Sequence, residues 1–533
     1  MSKTAEELAL PQTYQSWQLF GAGIENVGRD GHPVELPLRP PTDDEILVRI
    51  DALGICFSDI KVINQGGQHA RLRGRDLAND PTVLGHECAC TVAAVGAKWA
   101  DQFGVGERYV IQPDIYVDGE GWAFGYAMPG GLAEYAYLDS RALAGDEGCY
   151  LLPIPDGLGL SQAGLAEPWA CVEASYNVPV RTEIGSGRTL VVGDWPAPWD
   201  GMPTEDVVTL PALDGSAPEG TFETIIICNP DPATVNGLAE SLAQDGVMLL
   251  VGEPAGDGEV HLDAGAIHYR GWRYLGGGAN HAAIAAAHER ADLKSGGSAI
   301  FLGGGGPMGQ MHVQRALEAA DPPKQVVVTC LTHARLDHLR ERLMPLAARR
   351  GIELVTLAQK DFESLEAFED ELRARAPGGY DDLVVMVAAP GLTDQAVRLA
   401  ADNAFINIFA GLQPGTKVVV PLKKLCRGLT LMGTSGSRIS DMRTVLDKVS
   451  AGKLETNGAV AAIGGLNAAR DGLEATRDAT YPGKIIIYPH VKDFPLTPLT
   501  KLSEIAPAVA EKLTAEGAWT AEAEAAFLEG VGD

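Results

Sequence analysis

At 533 residues, with 42 basic side chains against 71 acidic ones and a formal charge of −29, the chain is too long for one hydrophobic core and repels polyanions. Nucleic-acid binding, which rests on Lys and Arg neutralising phosphates, is excluded as a main activity, and three or four lobes are expected. Eight scattered cysteines without a C-x-x-C pair exclude a disulfide scaffold and fit a reducing cytoplasm.

The opening MSKTAEELALPQ has neither the basic start nor the apolar block of a signal peptide, and no apolar run reaches the roughly 18 residues of a membrane span. A soluble, cytosolic protein without membrane contact is therefore expected. Residues 1 to about 170 hold short strand-like runs (EILVRIDAL, CTVAAVG, RYVIQP, LAEYAYL) parted by Gly, Pro and Asp, the pattern of a β-rich lobe. Within it stand Cys56-Phe57-Ser58-Asp59, Gly85-His86-Glu87 and Ala166-Glu167-Pro168, which supply a thiol, an imidazole and carboxylates of the zinc-ligand type. From about 172 the pattern changes. Apolar runs (TLVVG, TIIIC, VMLLVG, AIFLGG, QVVVT, LVVMVA, FINIFAG) alternate with helical stretches and predict parallel α/β layers. The tail returns to a strand, GKIIIYP, followed by a charged helical end from about Leu502 to Glu529.

The α/β part repeats itself. The segment starting at Phe222 lies over the segment starting at Tyr380, 158 residues further on, in element order and hydrophobic phase. Upstream, the stretch ending at Gly193 matches the one ending near Gly303 at an offset of about 110, so about 48 residues are missing inside the first copy. Two tandem units are expected, roughly 172–280 and 281–436, the first a shortened duplicate. Where the second copy has a glycine turn, the first has Gly193-Asp194-Trp195-Pro196-Ala197-Pro198-Trp199-Asp200-Gly201. Prolines that remove N–H donors, bulky tryptophans and anion-repelling aspartates should keep a dinucleotide out of the first copy.

The second copy keeps the glycine pattern Gly304-x-Gly306-x-x-Gly309 between the apolar run Ser298–Leu302 and the helical stretch Met311–Ala319. That strand–turn–helix context lets a pyrophosphate rest on a helix N-terminus. After the next strand, Cys330 stands where a carboxylate would accept from the adenosine ribose. Both NAD and NADP stay open: Arg335 is placed either to meet a 2′-phosphate or to cover the adenine.

The segments C-F-S-D, V-L-G-H-E, V-G-E-R, A-E-P-W-A-C-V, G-G-G-P-M-G, L-M-G-T-S-G-S-R and G-K-I-I-I-Y-P occur in the order of one family. On them the chain resembles the zinc-dependent medium-chain dehydrogenases/reductases of the alcohol dehydrogenase superfamily, closest in pattern to polyol (sorbitol-type) and threonine dehydrogenases. The resemblance implies a GroES-like β-rich catalytic domain over 1–171, completed by 437–533, and a doubly wound Rossmann domain over 281–436. An inserted, truncated Rossmann-like unit would occupy 172–280. It further implies Cys56, His86 and Glu87 as zinc ligands, with Glu167 as a further ligand or the partner of metal-bound water. Ser58 would be the proton acceptor and Asp59 would orient a ligand. Gly304, Gly306, Pro307, Met308, Gly309, Cys330, Arg335 and Gly411 would hold the dinucleotide. The four clustered cysteines of the family's structural zinc are absent between Arg108 and Glu147, so a single zinc is expected. Lys61 replaces the relay histidine of many relatives.

The implied activity is hydride transfer between NAD(P) and a secondary alcohol or ketone, a polyol, sugar or sugar phosphate, by a homo-oligomer. Two other classes are weighed against it: a non-catalytic nucleotide-binding sensor or structural protein, and a zinc-free quinone or enone reductase. In the loop 69–75, Arg71, Arg73 and Arg75 have two readings, a clamp for a substrate phosphate or carboxylate and a solvated or intersubunit loop, the second being the plainer. Phe57, Trp122, Phe124 and Tyr126 are candidate pocket aromatics.

Overall fold

The run EILVRIDALG becomes the strand Glu45–Gly54, buried along most of its length, and acts as the hub of an eight-stranded sheet. The computed structural model describes residues 10–177, 180–194 and 206–530. These fall into two units, 1–173 with 436–533, and 174–435.

In the first unit the sheet runs Leu151–Pro153, Arg108–Ile111, Glu87–Val95, Glu45–Gly54, Lys484–Tyr488, Val460–Gly465 and Thr497–Pro498, with Tyr135–Asp139 also on Glu45–Gly54. Pairing is antiparallel except between Val460–Gly465 and Lys484–Tyr488. The C-terminal segment therefore completes the N-terminal lobe: Ile486 stands opposite Gly54. Its core gathers Tyr488, Phe494, Trp519 and Phe527. The Glu524 carboxylate accepts from the Ser161 backbone N–H at 2.7 Å and from the Tyr488 hydroxyl at 2.8 Å, which ties the last helix to the sheet. That end is not one helix from 502 to 529. It forms Leu502–Ile505, Pro507–Ala510 and Ala521–Gly530, because Pro507 lacks the N–H to continue the first and Gly517 turns at φ 80° before the last.

The second unit holds two parallel sheets. The larger has the order Glu353–Ala358, Gln325–Cys330, Ser298–Leu302, Tyr380–Val385, Ala400–Asn407, Thr430–Met432. The smaller has Val207–Leu210, Thr189–Val192, Phe222–Cys228, Leu242–Val251, Arg273–Gly278. It is the same arrangement short of one outer strand, a truncated Rossmann-like unit inserted ahead of a full one. Every strand of the larger sheet except its outer one thus has a counterpart in the smaller. The turn at 195–201, expected to exclude a dinucleotide, lies outside the described residues.

Candidate active site

Cys56 caps the helix Phe57–Gln65, and its backbone N–H donates to Asp59 Oδ2 at 3.0 Å. A short polar residue three places into a helix answers the cap in this way, which fixes both side chains. The other oxygen of Asp59 accepts from the Gly85 N–H at 3.2 Å and lies 3.4 Å from His86 Nδ1. One buried carboxylate thus braces the Cys56 loop and the Gly85-His86 turn together. Gly85 makes that turn at φ +90°, where a Cβ would press on Leu53.

The ligand atoms of Cys56, His86 and Glu87 all lie within 4.8 Å of one another. Ser58 Oγ sits at their lip, donating to Cys56 Sγ at 2.8 Å and 3.4 Å from His86 Nε2. Glu167, although buried beside them, does not complete this group; its carboxylate accepts from the Cys171 thiol at 3.7 Å. Burial, opposed by His86 and reinforced by Glu87, pushes the Glu167 carboxyl up to about 7. At His86 burial works against charge, but Tyr126, Asp59 and Cys56 together raise its pKa well above the ordinary value. The surroundings therefore favour positive charge at the imidazole. Glu87 is shared: one oxygen pairs with Lys484, both side chains being buried, while its other oxygen has no hydrogen-bond partner among the described residues. A buried carboxylate oxygen without a donor, next to a thiol and an imidazole, is the state a divalent cation would satisfy. The residues present fit a zinc ion.

Lys484 was not singled out by sequence reasoning. The available signal was a lone Lys entering the apolar run GKIIIYP, since a buried lysine requires an acidic partner.

Among the candidate aromatics, Tyr126 packs its ring 5.4 Å from His86, and Phe124 is core. Phe57 is 55% exposed, and Trp122 carries the guanidinium groups of Arg73 and Arg141 at 4.5 and 4.8 Å. Arg71 lies 5.0 Å from the Tyr126 ring centre and pairs with Asp114 at 2.8 Å; that carboxylate holds its pKa above the usual range. Arg73 donates to Glu120 at 2.8 Å and to the Gly121 carbonyl at 3.2 Å. Arg71 and Arg73, with Ala70, Asp114, Tyr116 and Gly121, line a pocket of about 260 Å³. Arg75 does not line it: Asp80 and the Ala127 carbonyl hold its guanidinium.

In the second unit the strand Ser298–Leu302 runs through Gly303–Gly306 into the helix Pro307–Glu318, with Gly306 as N-cap and Pro307 first in the helix, so Met308 and Gly309 lie in its first turn. The turn is tight. A Cβ on Gly304 would lie 2.9 Å from Val328 Cγ1, one on Gly305 2.8 Å from Cys330 Sγ, and one on Gly309 would meet the Gly304 backbone. On Gly306 the only neighbour among the described residues would be Arg335 Nη1, at 3.6 Å, so that position opens outward over the helix N-terminus. Close backbone approach at such a terminus suits a pyrophosphate. Arg335 has no ion-pair partner among the described residues, whereas His333 is held by Asp361 at 2.7 Å. Gly411 follows the strand Ala400–Asn407 and packs on Tyr269 and His268.

Residues 42–145 match the model of the alcohol dehydrogenase GroES-like domain. Over 524 residues the chain is 27% identical to the L-sorbose 1-phosphate reductase of Klebsiella pneumoniae, covering 97% of this chain and 98% of that protein. It is 25% identical to the mannitol-1-phosphate 5-dehydrogenase of Aliivibrio fischeri (87% and 85% covered) and 40% identical to the sorbitol dehydrogenase of Bombyx mori over 186 residues (32% and 48% covered). In fold it is similar to the 2R,3R-butanediol dehydrogenase of Bacillus subtilis, with a TM-score of 0.56 at 15% identity over 89% of this chain and 99% of that one. A GroES-like lobe completed by its own C-terminus, a Rossmann sheet and relatives named as polyol and sugar-phosphate dehydrogenases and reductases make the chain similar to the medium-chain dehydrogenase/reductase (alcohol dehydrogenase) superfamily, its polyol dehydrogenases above all, and support an oxidoreductase of that kind.

Proposed function

We propose that the chain holds one zinc ion at Cys56, His86 and Glu87, binds NAD or NADP at Gly304–Gly309, and interconverts a secondary alcohol and its ketone on a polyol, sugar or sugar phosphate. The observation that carries this is the donor set within 4.8 Å that includes a partnerless buried oxygen of Glu87. Bound there, zinc supplies Lewis acidity toward the substrate oxygen, and the dinucleotide supplies the hydride acceptor. The chain's own residues do the rest. Asp59 orients His86, as outer carboxylates do for metal-binding imidazoles. Ser58 Oγ is placed to hold the alcohol proton and pass it to water at the rim of the site, since Lys61, one helical turn on, is an ammonium with no lone pair to take it. Glu167, buried behind the donors, either joins them or receives the proton of a bound water.

Relatives named for sugar phosphates, together with the pocket at Arg71 and Arg73, support a phosphorylated polyol as substrate. Tyr126 touches both places, its ring centre lying 5.4 Å from that of His86 and 5.0 Å from the Arg71 guanidinium. Lack of a carboxylate at Cys330 and the unpartnered Arg335 guanidinium favour NADP over NAD.

The test is a panel of polyols, sugars and their phosphates with both dinucleotides, run beside metal analysis. Stoichiometric zinc is expected, and Cys56→Ala should lose roughly a thousandfold in turnover while keeping dinucleotide binding. Unchanged turnover in that variant, or activity in zinc-free protein, overturns the assignment. Arg73→Gln should raise KM for a phosphorylated substrate and leave that of the unphosphorylated polyol alone.

A further inference from the structure

The two sheets of the second unit share details that chance similarity between α/β folds does not produce. At the 158-residue offset, Asp245 and Asn403 both adopt left-handed backbone, with φ 56° and 57°. The strand register shifts between Phe222 and Thr224 and, at the same place, between Tyr380 and Asp382. Helices start with Pro232 and Pro390. A non-glycine residue at positive φ is uncommon, so a shared irregularity with its left-handed residue marks one duplicated unit.

The strands Glu259–Asp263 and Lys417–Pro421 occupy equivalent places in the two copies, and they pair with each other antiparallel. Glu259 faces Pro421 and Asp263 faces Lys417, while His261 faces its own counterpart, Val419. Each residue's partner is thus the counterpart of its mirror position, the exchange that defines an interface between two copies related by a two-fold axis. The rest of the junction follows the same rule. The helix Ala264–Tyr269 packs on Thr430–Met432 of the other copy, Leu422–Cys426 packs on Arg273–Gly278, and those two edge strands meet. What the first copy lacks lies at the opposite end: among its described residues nothing answers to the helix His333–Arg350, the outer strand Glu353–Ala358 and the helix Leu365–Arg375. Truncation removed the adenosine end and spared the pairing edge.

The pairing edge also reaches the dinucleotide side. His268 Nδ1 lies 2.9 Å from the Ile408 carbonyl, and a Cβ on Gly411 would fall 2.7 Å from Tyr269 Cζ and 2.8 Å from His268 Nε2. We infer that the truncated copy is a built-in second subunit: it occupies the two-fold edge of the cofactor sheet in place of another chain, and His268 and Tyr269 position the Ile408–Gly411 loop for the dinucleotide. The positioning half rests on the dinucleotide reading given above.

The test uses the full zinc-loaded chain. In hydrogen exchange followed from nanomolar to micromolar protein, amides of 259–263 and 417–421 should be protected to the same extent at every concentration. Protection that falls on dilution, or none, overturns the built-in subunit. In parallel, His268→Ala should weaken NAD(P)H binding about three- to tenfold, the worth of one hydrogen bond, with kcat retained, and His268→Asn, whose amide still reaches Ile408, should restore it. Unchanged affinity in His268→Ala, or no rescue by His268→Asn, overturns the positioning role. Were the parent chain to bind neither dinucleotide, the cofactor reading and the positioning role would fall together, and the exchange experiment alone would still decide the pairing.

Discussion

Lys484 is the side chain whose removal separates structure from chemistry at the site. It is buried against Glu87, itself fully buried, so Lys484→Met leaves a carboxylate in a dry interior without its cation. Breaking such a pair costs about 3–5 kcal/mol. Metal-free Lys484→Met should therefore lose that much in denaturant unfolding, and zinc, by answering Glu87, should return a larger share of stability to the variant than to the parent. Equal gains on zinc addition would remove Glu87 from the donor set. At this scale legibility followed chemistry rather than burial. The segments holding Cys56, His86 and Glu87 offered zinc-type donors to the eye, while the choice among the acids came from the family resemblance. Lys484, 397 positions from Glu87, was hidden because only the sheet brings them into contact. The arginines show the converse: Arg71, Arg73 and Arg75 read as one basic run, yet each found a separate acid, and only two line the pocket.

The turn and helix after Ser298–Leu302 carry two separable requirements. Gly309 has no room for a Cβ against the Gly304 backbone, so Gly309→Ala should destabilise the fold. Gly306, at φ −76°, has room, so Gly306→Ala should keep its melting temperature within about 2 °C yet weaken dinucleotide binding, because the methyl stands over the helix N-terminus where the pyrophosphate would rest. The same helix carries His312, whose ring is 4.3 Å from Phe409 and whose Nδ1 lies 2.7 Å from the Tyr176 hydroxyl. Burial first, then Arg315, lowers its pKa to about 3, and His338 is lowered to about 4 by burial and Arg342. A depressed folded pKa means the unfolded chain takes up a proton that the native one refuses. Stability present above pH 6.5 is therefore lost as pH falls toward 3, by up to about 1.4 kcal/mol per unit for each histidine. Denaturant titrations at pH 7 and 5 should show His312→Gln losing markedly less on acidification than the parent. At this scale the alternation of apolar runs and the copied segment were readable in advance, since a repeat preserves hydrophobic phase. The edge pairing of Glu259–Asp263 with Lys417–Pro421 was not, because nothing in either strand alone says which partner completes it. The tail misled: its charge and helix formers suggested one helix, and Pro507 divides it.

Across the whole chain, residues 1–173 with 436–533 carry the proposed metal donors, and 174–435 carry the glycine turn, each with its own buried core. A ligand that binds only the folded form of one unit stabilises that unit by mass action, about 2.7 kcal/mol at a hundred times its Kd. For units of this size, that corresponds to roughly 5–10 °C. Calorimetry of the full chain should then resolve two transitions, one raised by zinc and lowered by a chelator, the other raised by NADPH or NADH. The assignment of each can be checked within the same scan: Cys56→Ala should abolish only the zinc-dependent shift, and Gly306→Ala should diminish only the dinucleotide-dependent one. A dinucleotide-dependent shift lost in Cys56→Ala would mean that the thiol serves the cofactor rather than the metal. A zinc-dependent shift retained in Cys56→Ala would place the metal elsewhere in the chain.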